Sequence, residues 1–197
     1  MQRIMLMTTI LLSIGAVNVH ADTTYFVDGI LGYANQKNSL GGFDTISGSD
    51  SSKGLRGGFY LKPNFGVEFT YMDLGVAEDS FINGSSQQVT DMLDTNWTGV
   101  GFQGGIRLGH STVLVGRIGL AAWQIDYAQT NSGFPGDAFR DSDEGVDAYL
   151  GVGLRFDIED HVRVSLEYQT LDFEAALGSA NSDQTLQNIG ISIGVLF

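Results

Sequence analysis

The chain has 197 residues, a formal net charge of −13 and no cysteine. The negative charge repels phosphate backbones, which argues against a nucleic-acid partner, and the lack of cysteine excludes a small scaffold held by disulfides. A chain of this length is sufficient for one domain with its own core.

The first 21 residues predict a secretory signal peptide. Arg3 supplies a positive charge, residues 4–17 are almost wholly apolar, and Val19-His20-Ala21 has the small-x-small pattern of a cleavage site. The apolar run is shorter than the roughly 20 residues that a membrane-spanning helix needs. We therefore expect residues 1–21 to be removed and residues 22–197 to form one domain.

The rest of the chain contains eight segments in which apolar residues alternate with polar or small ones. This two-residue period predicts β-strands with one apolar face. The second and third segments are joined by the tight Lys62-Pro63-Asn64 corner, which indicates a hairpin. The segments are 25–33, 55–62, 65–72, 99–108, 112–127, 148–158, 162–169 and 186–197.

The fifth segment changes the parity of its apolar residues. Leu114, Ile118 and Leu120 share one parity, whereas Trp123 and Ile125 have the other. A β-bulge shifts the alternation by one residue, so we predict a bulge near residues 121–122, Ala121-Ala122.

The connectors between the segments alternate in length. Those after the second, fourth and sixth segments have only a few residues, whereas 35–53, 75–95, 128–145 and 174–185 are long and rich in Ser, Gly, Asn and Asp. Tight turns on one rim, long loops on the other and both termini on the tight-turn side are typical of an up-and-down transmembrane barrel. The predicted fold class is all-β, an eight-stranded antiparallel transmembrane β-barrel.

Alternation alone does not say which face meets lipid, because a soluble barrel with an apolar interior gives the same pattern. Two observations favour lipid on the apolar face. The polar parity carries mostly small or hydrogen-bonding residues, which suits a narrow lumen, and aromatic residues such as Tyr33, Trp123 and Phe197 gather near the ends of segments, where interfacial girdles lie.

Three stretches resemble the eight-stranded outer-membrane barrel family, which includes the membrane domain of outer membrane protein A. They are 148–156 (AYLGVGLRF), 164–168 (VSLEY) and 191–197 (ISIGVLF). The resemblance covers the whole mature chain and implies a location in the outer membrane of a Gram-negative envelope, surrounded by lipid and lipopolysaccharide. It assigns the signal read by the barrel-assembly machinery to Ile191, Ile193, Val195 and Phe197.

Several charged residues fall on the parity that faces the lumen. Eight strands leave a lumen that side chains just fill, and a buried charge is tolerated only if it is paired. We therefore predict an internal ion-pair network, which either plugs the lumen or gates a path for water and small solutes. Its members are Arg56, Glu68, Arg107, Arg117, Arg155 and Glu167.

Two apparent ligand motifs are weak. Residues 99–104 match the G-x-G-x-x-G pattern of dinucleotide sites, but the strand period continues through them and no helix follows. The acidic stretch 141–145 lacks the spaced ligands and the closing Glu of a calcium loop, so it is interpreted as a solvated loop. We expect neither a cofactor nor a metal site.

An enzyme is the alternative from another class, because some barrels of this family modify lipid A with a Ser and a His near the extracellular rim. After signal removal the only histidines are His110 and His161, and both fall in predicted short turns on the opposite rim. We therefore expect no catalytic site. The leading hypothesis is a structural outer-membrane protein that binds or adheres through its long extracellular loops. The alternatives are a small gated pore and, less favoured, a lipid A-modifying enzyme.

Overall fold

The chain folds as a closed barrel of eight antiparallel strands, which confirms the predicted fold class. The computed structural model describes residues 23–40, 46–134, 138–177 and 180–197, so the predicted signal peptide lies outside the described residues. Each strand pairs with its neighbours in sequence, and β1 closes the barrel on β8. The strands are β1 (Tyr25–Leu40), β2 (Ile46–Lys62), β3 (Phe65–Ile82), β4 (Gln88–Arg107), β5 (Thr112–Asn131), β6 (Phe139–Glu159), β7 (Val162–Leu177) and β8 (Ala180–Leu196).

Across the described ranges, none of the chain forms an α-helix with the length and apolarity needed to cross a bilayer.

Three short turns and both ends of the barrel wall meet at one end, here called the turn end. The Pro63-Asn64 turn joins β2 to β3, as predicted, and Asn64 has the positive φ of 64° that such a tight turn requires. The backbones of Tyr25 and Phe197 bond to each other in both directions, with N to O distances of 2.8 and 3.0 Å. These bonds extend the β1–β8 ladder to its edge.

The predicted long loops are mostly strand, which corrects the sequence-based boundaries. β3 and β4 stay paired to Ile82 and Gln88, and β5 and β6 stay paired to Gln129 and Phe139. Ser, Asn and Gly are common in loops, but they also suit strands whose outer face meets water, because ladder hydrogen bonds satisfy the backbone in either medium. We call the described residues within 34–53, 73–96, 124–147 and 171–187 the extension.

The predicted bulge near Ala121-Ala122 is wrong. The β5–β6 register runs without a shift through the pairs Ala121 to Asp147 and Ala122 to Val146. An irregularity occurs instead in β3, between Asp73 and Val76, where Gly75 adopts a φ of +71°. The change in apolar parity along β5 therefore has another cause.

Below the extension, the barrel turns its apolar side chains outward, in what we call the apolar belt. Most outward positions at this level carry branched aliphatic or aromatic residues that are about half exposed. The belt comprises Val27, Leu31, Tyr33, Leu55, Phe65, Tyr71, Val100, Phe102, Ile106, Leu114, Ile118, Leu120, Leu150, Val152, Phe156, Leu166, Tyr168, Ile189, Ile191, Ile193, Val195 and Phe197.

Inside the extension the arrangement is reversed, because apolar side chains fill the interior. Leu120 points outward and is 56% exposed, whereas Trp123, three residues along the same regular strand, points inward and is 4% exposed. Side chains along β5 still point alternately inward and outward, but the apolar residues now occupy the inward positions instead of the outward ones. This interior core lies in the extension and in the residues that lead into it from the belt. It comprises Ile30, Ala34, Met72, Leu74, Ala77, Leu93, Trp97, Ala121, Trp123, Ile125, Tyr149, Leu171, Phe173, Ala175 and Leu186.

Candidate functional sites: the charge cluster and the mouth of the extension

Six charged side chains meet inside the barrel at the level of the apolar belt. Three carboxylates and three guanidinium groups come from five strands, and all are buried. Because the charges balance, the group is neutral as a whole. This charge cluster comprises Asp28, Arg56, Glu68, Arg117, Arg163 and Glu167.

Glu167 is the most connected carboxylate of the charge cluster. Arg56 forms a fork on it, with Nη1 to Oε1 at 2.9 Å and Nη2 to Oε2 at 2.8 Å. Arg117 Nη2 lies 3.3 Å from Oε1, and the Ser192 hydroxyl donates to the same oxygen over 2.8 Å. A carboxylate bound by two guanidinium groups and a hydroxyl is well satisfied despite its burial.

Glu68 holds the neighbouring part of the charge cluster. It accepts from Arg117 Nε at 3.1 Å and from the Tyr149 hydroxyl at 2.8 Å. The Tyr149 ring fits because Gly101 and Gly119 face it: a Cβ on either would lie 2.4 or 2.5 Å from Tyr149 atoms. These glycines make the room in which Tyr149 reaches Glu68.

Asp28 and Arg163 form the third contact, nearer the turn end. Arg163 Nε and Nη2 donate to the two carboxylate oxygens over 2.8 and 2.6 Å, and its guanidinium lies 4.1 Å from the centre of the Phe26 ring. A second guanidinium contact, between Arg56 Nη1 and Asp28 Oδ2 at 3.8 Å, joins this pair to Glu167. The three carboxylates therefore share one connected set of arginines.

The sequence-predicted network and the charge cluster overlap in Arg56, Glu68, Arg117 and Glu167. Arg155 lies next to the cluster and donates to the Tyr60 hydroxyl over 2.6 Å; Arg163 donates to that hydroxyl as well.

Arg107 lies apart, at the turn end. Its side chain is 53% exposed, and its Nη1 donates to the His110 carbonyl over 2.8 Å. Asp28 and Arg163 have the lumen parity too, but parity alone does not tell the height at which a side chain lies. Distance in sequence from the nearest turn does not separate them either, because Arg163 lies as close to the β6–β7 turn as Arg107 lies to its own turn, and yet Arg163 is buried.

Some buried polar atoms beside the charge cluster have no protein partner among the described residues. They are both amide atoms of Gln103, Nη1 of Arg117 and Oε1 of Gln169. Strand register places these residues in one row, through Gln103 to Arg117, Arg117 to Gly151 and Gly151 to Gln169. Such a row has the donors and acceptors that buried water requires. Arginine does not lose its proton in proteins, so the three guanidinium groups keep their charge and hold the carboxylates in place.

Three of the four residues assigned to assembly lie on the outward face of β8, and the fourth, Phe197, directly follows that strand. Ile191, Ile193 and Val195 alternate along the belt, and the Phe197 ring stacks on Tyr25 with ring centres 6.1 Å apart. All four side chains are exposed at the wall of the barrel.

The two histidines lie at the turn end. His110 follows β4 in the turn to β5, and His161 lies in the β6–β7 turn, where its Nδ1 is 3.2 Å from the Leu196 carbonyl oxygen. Within the described ranges, no three His, Cys, Asp or Glu side chains are placed to hold a metal ion.

The extension carries the net charge of the chain. Its four ranges contain 16 of the 23 carboxylates and 3 of the 10 Lys and Arg residues, so its net charge is 3 − 16 = −13, and the other ranges balance at 7 and 7. Two of these carboxylates, Asp44 and Asp137, lie outside the described residues. The others are Asp50, Asp73, Glu78, Asp79, Asp91, Asp94, Asp126, Asp141, Asp143, Glu144, Asp147, Asp172, Glu174 and Asp183. The stretch 141–145, expected to be a loop, is part of β6.

Carboxylates meet one another on the outer wall of the extension. Asp94 lies directly opposite Asp126 in the β4–β5 register, and Asp73 is close by on β3. Partial burial raises the pKa of Asp94 above its usual value, and repulsion from Asp73 and Asp126 adds to the shift.

The open end of the extension brings apolar and acidic side chains together on its inner face. Asp79 pairs with Asp91 across β3 and β4, and Phe81 follows on the same face of β3. Asp91 is 4% exposed and accepts from the Tyr127 hydroxyl at 2.6 Å and from Gln129 Nε2 at 2.8 Å. Burial raises the pKa of Tyr127, and its hydrogen bond to Asp91 adds to the shift. The mouth patch comprises Asp79, Phe81, Asp91, Tyr127, Gln129 and Phe139.

Comparison with known families and structures identifies the architecture. A family model described as an outer membrane protein beta-barrel domain matches residues 7–197. Comparison with curated protein sequences gave no match.

Solved structures share the fold at low sequence identity. Ail of Yersinia pestis in complex with the heparin analogue sucrose octasulfate has a TM-score of 0.51 and 13% identity, covering 88% of this chain and 99% of that one. OprG from Pseudomonas aeruginosa has a TM-score of 0.53 and 12% identity, covering 92% and 99%. The protease OmpT from Escherichia coli has a TM-score of 0.50 and 9% identity, covering 94% and 100%.

Proposed function

Since the chain belongs to the outer-membrane β-barrel family, we propose that it is a surface-binding protein of the outer membrane. In this proposal the apolar belt anchors the barrel in lipid. The extension stands outside the cell and carries the surface that binds a ligand or adheres to another surface.

The length and charge of the extension carry the proposal. A tilted strand crosses a bilayer with about 9–11 residues, whereas these strands have 16–21. The additional residues build a second section with its own core, and this section holds the whole net charge of −13. Anchoring needs only the belt, so a structured and highly charged section beyond it indicates a function at the surface.

The filled interior supports a structural lumen over the alternative of a gated pore. The charge cluster fills the lumen at the level of the belt, and the apolar core fills the extension above it. A solute path would require charged pairs such as Arg56–Glu167 to separate inside a low-dielectric interior, which is costly.

The ligand is expected to differ from that of the structural neighbour Ail, which was solved with a sulfated heparin analogue. At 13% identity, the similarity to Ail supports a shared fold and gives no information about the ligand. A polyanion would meet an extension with 16 carboxylates and 3 cationic side chains, and this repulsion opposes binding.

We also propose that the protein is not an enzyme. His110 and His161 lie at the turn end, far along the barrel from the extension, which gives no support to acyl transfer at the outer rim. Outer-membrane lipid and lipopolysaccharide would surround the belt. The barrel-assembly machinery would read Ile191, Ile193, Val195 and Phe197.

Truncation of the extension tests the proposed function. The register allows two hairpins to be shortened without disturbing the belt, by replacing residues 80–90, and separately 130–138, with an Asn-Gly turn. We expect cells that produce either shortened protein to lose attachment to host-cell monolayers or serum proteins. The control is His110→Ala at the turn end, which leaves the extension intact.

Heat-modifiable migration on gels would establish that each variant folds. Binding that persists unchanged after both replacements would contradict the proposed function.

A further inference from the structure

The mouth patch combines exposed aromatic side chains with carboxylates on the inner face of the barrel. Phe81 and Phe139 are 47% and 51% exposed, although both lie on the inner face of the barrel wall. Asp79 lies two residues before Phe81 on the same face of β3, and the register row that runs through Asp79, Asp91 and Gln129 ends at Phe139. Exposed aromatic rings over buried or half-buried carboxylates are typical of binding surfaces.

The carboxylates of the mouth patch have no positive partner. None of the ion pairs among the described residues includes Asp79 or Asp91, and the two lie directly opposite each other. Like charges in opposed positions destabilise a sheet. By contrast, the carboxylates of the charge cluster are all matched by arginines. The protein pairs its buried charges at one level and leaves them unpaired at the mouth.

The rim around the mouth patch extends the apolar surface. Ile82 is 74% exposed at the end of β3, and Phe134 is 60% exposed in the segment after β5. The Phe134 amide bonds to the Asn131 carbonyl over 3.1 Å, and Ser132 N bonds to the Gln88 carbonyl over 2.9 Å. The Ser132–Gln88 bond holds the two hairpin tips side by side, so exposed apolar side chains lie at the rim next to the mouth patch.

We infer that the mouth patch binds a cationic, partly apolar polypeptide segment. The inference rests on the proposed function and names the class of partner for the same surface. Arginine or lysine side chains of the partner would pair with the partly exposed Asp79 and be attracted by the buried charge of Asp91, and its apolar side chains would cover Phe81 and Phe139. A small inorganic cation would leave the rings exposed, and an apolar ligand would leave the carboxylates unpaired.

The negative electrostatic potential of the extension also favours a cationic partner. With a net charge of −13 on this section, a cationic segment is steered toward the mouth and a polyanion is repelled. Steering of this kind weakens as salt is added. Aromatic rings also attract a guanidinium through their faces, so Phe81 and Phe139 contribute to recognition of charge as well as to apolar contact.

The test measures binding of designed peptides to the full barrel in nanodiscs of zwitterionic lipid, with empty nanodiscs subtracted. The probe is a 20-residue peptide of Lys, Arg and Leu, and the comparison probes are the same peptide with Glu at each cationic position and heparin. The mouth variant is Asp79→Asn with Asp91→Asn. The control variant is Asp172→Asn with Glu174→Gln, which removes the same two charges from the outer wall of β7.

We expect the cationic peptide to bind, with at least about tenfold weaker binding to the mouth variant, since hydrogen bonds to charged groups contribute that much or more. The control variant should lose less than about threefold, because exposed distant charges act only through a screened field. Phe81→Ser with Phe139→Ser should weaken binding without changing its salt dependence.

Three results would overturn the inference. They are equal losses in the mouth and control variants, binding of the Glu peptide or heparin in preference to the cationic peptide, and no binding of the cationic peptide at all. If the shortened hairpins abolish cell attachment while the cationic peptide fails to bind, the inference fails and the proposed function stands. If attachment is also unaffected, both fail.

Discussion

Arg56 and Glu167 join two distant walls of the barrel through a pair of parallel hydrogen bonds of 2.9 and 2.8 Å. Arg56 is on β2 and Glu167 is on β7, and β1 and β8 lie between these strands in the closed sheet. The contact therefore crosses the lumen and does not follow the wall. It makes the interior at the level of the belt a structural element in its own right.

Removal of the Glu167 charge should destabilise the barrel strongly. In Glu167→Gln, Arg56 and Arg117 remain buried beside a neutral amide, and breaking a buried ion pair by altering one partner costs about 3–5 kcal/mol. Urea unfolding of the refolded protein in lipid vesicles measures the loss. Lys53→Gln is the control, because it breaks the exposed Lys53–Asp73 pair at 3.2 Å, worth about 0–1 kcal/mol. Similar losses in both variants would contradict a structural role for the charge cluster.

The glycines around Tyr149 provide a second test of the interior. In Gly101→Ala the new methyl would lie 2.4 Å from the Tyr149 hydroxyl, so the ring must move and its bond to Glu68 is lost. We expect a cost of about 1–3 kcal/mol from overpacking. Gly116→Ala is the matched control, since Gly116 faces outward on β5 with no atom within 4 Å of the added Cβ, and should be neutral in the same unfolding assay. If both substitutions lowered the free energy of unfolding equally, tight packing of Tyr149 against Gly101 would be contradicted.

The filled lumen predicts an electrically silent barrel. Purified protein reconstituted into planar bilayers should give no stable, reproducible openings, because the paired charges occupy the lumen at the level of the belt and apolar side chains occupy it above that level. The comparison is Glu167→Gln, in which Arg56 and Arg117 lose a partner and flickering conductance is expected. Stable openings of the unaltered protein would contradict the hypothesis of a plugged lumen and favour that of a gated pore.

Asp94 should make the extension more stable in mild acid. Its pKa is raised in the folded state, so its charged form opposes folding. The free energy of unfolding therefore rises as the pH falls through the folded-state pKa of Asp94 toward the usual value for Asp, and it falls again as the pH increases. Asp94→Asn should add a few tenths of a kcal/mol at pH 7, because opposed like charges across a ladder cost about that much. The variant should also lose part of the pH dependence. Asp172→Asn, which lies opposite Thr185, is the control and should not raise the free energy of unfolding at pH 7.

The assigned assembly signal can be separated from stability. Phe197→Ser should lower the amount of protein that reaches the outer membrane in cells, while refolding into detergent in vitro proceeds, because the backbone bonds to Tyr25 remain. Heat-modifiable gel migration of membrane fractions and of refolded protein gives the two readouts. Tyr25→Ser removes the same ring contact and is the control. Equal loss in cells for both substitutions would assign the effect to packing of the rings.

The strands and the orientation of their apolar faces could be predicted from the sequence because the two-residue period survives in every segment. Ile189, Ile191 and Ile193 alternate with Gly and Ser, and all three lie outward in the belt. The lengths of the strands could not be predicted, because Ser, Asn and Asp in 75–95 are equally suited to loops and to strands that face water.

The false bulge in β5 shows a second limit. Trp123 and Ile125 have the opposite parity to Leu120 because the environment changes at that height, while the backbone stays regular. A single sequence does not distinguish a shift of the strand from a change of the surrounding medium. Likewise, parity places Arg56, Arg107 and Arg117 on one side of the wall, but only the register decides which of them reaches Glu167.

The apolar side chains of β5 change from the outer face at Leu120 to the inner face at Trp123, and this change marks the boundary between lipid and water along the strand. Sliding β5 outward by two residues would lift Leu120 into water, and sliding it inward would press Gln124 into hydrocarbon, so the depth of immersion is set to within one step of the ladder. Because the strands continue rigidly above that line, the hairpin tips are held at a preset height of about 20 Å. A ligand that binds at the hairpin tips therefore meets strands that are already ordered, so the protein loses little conformational entropy on binding.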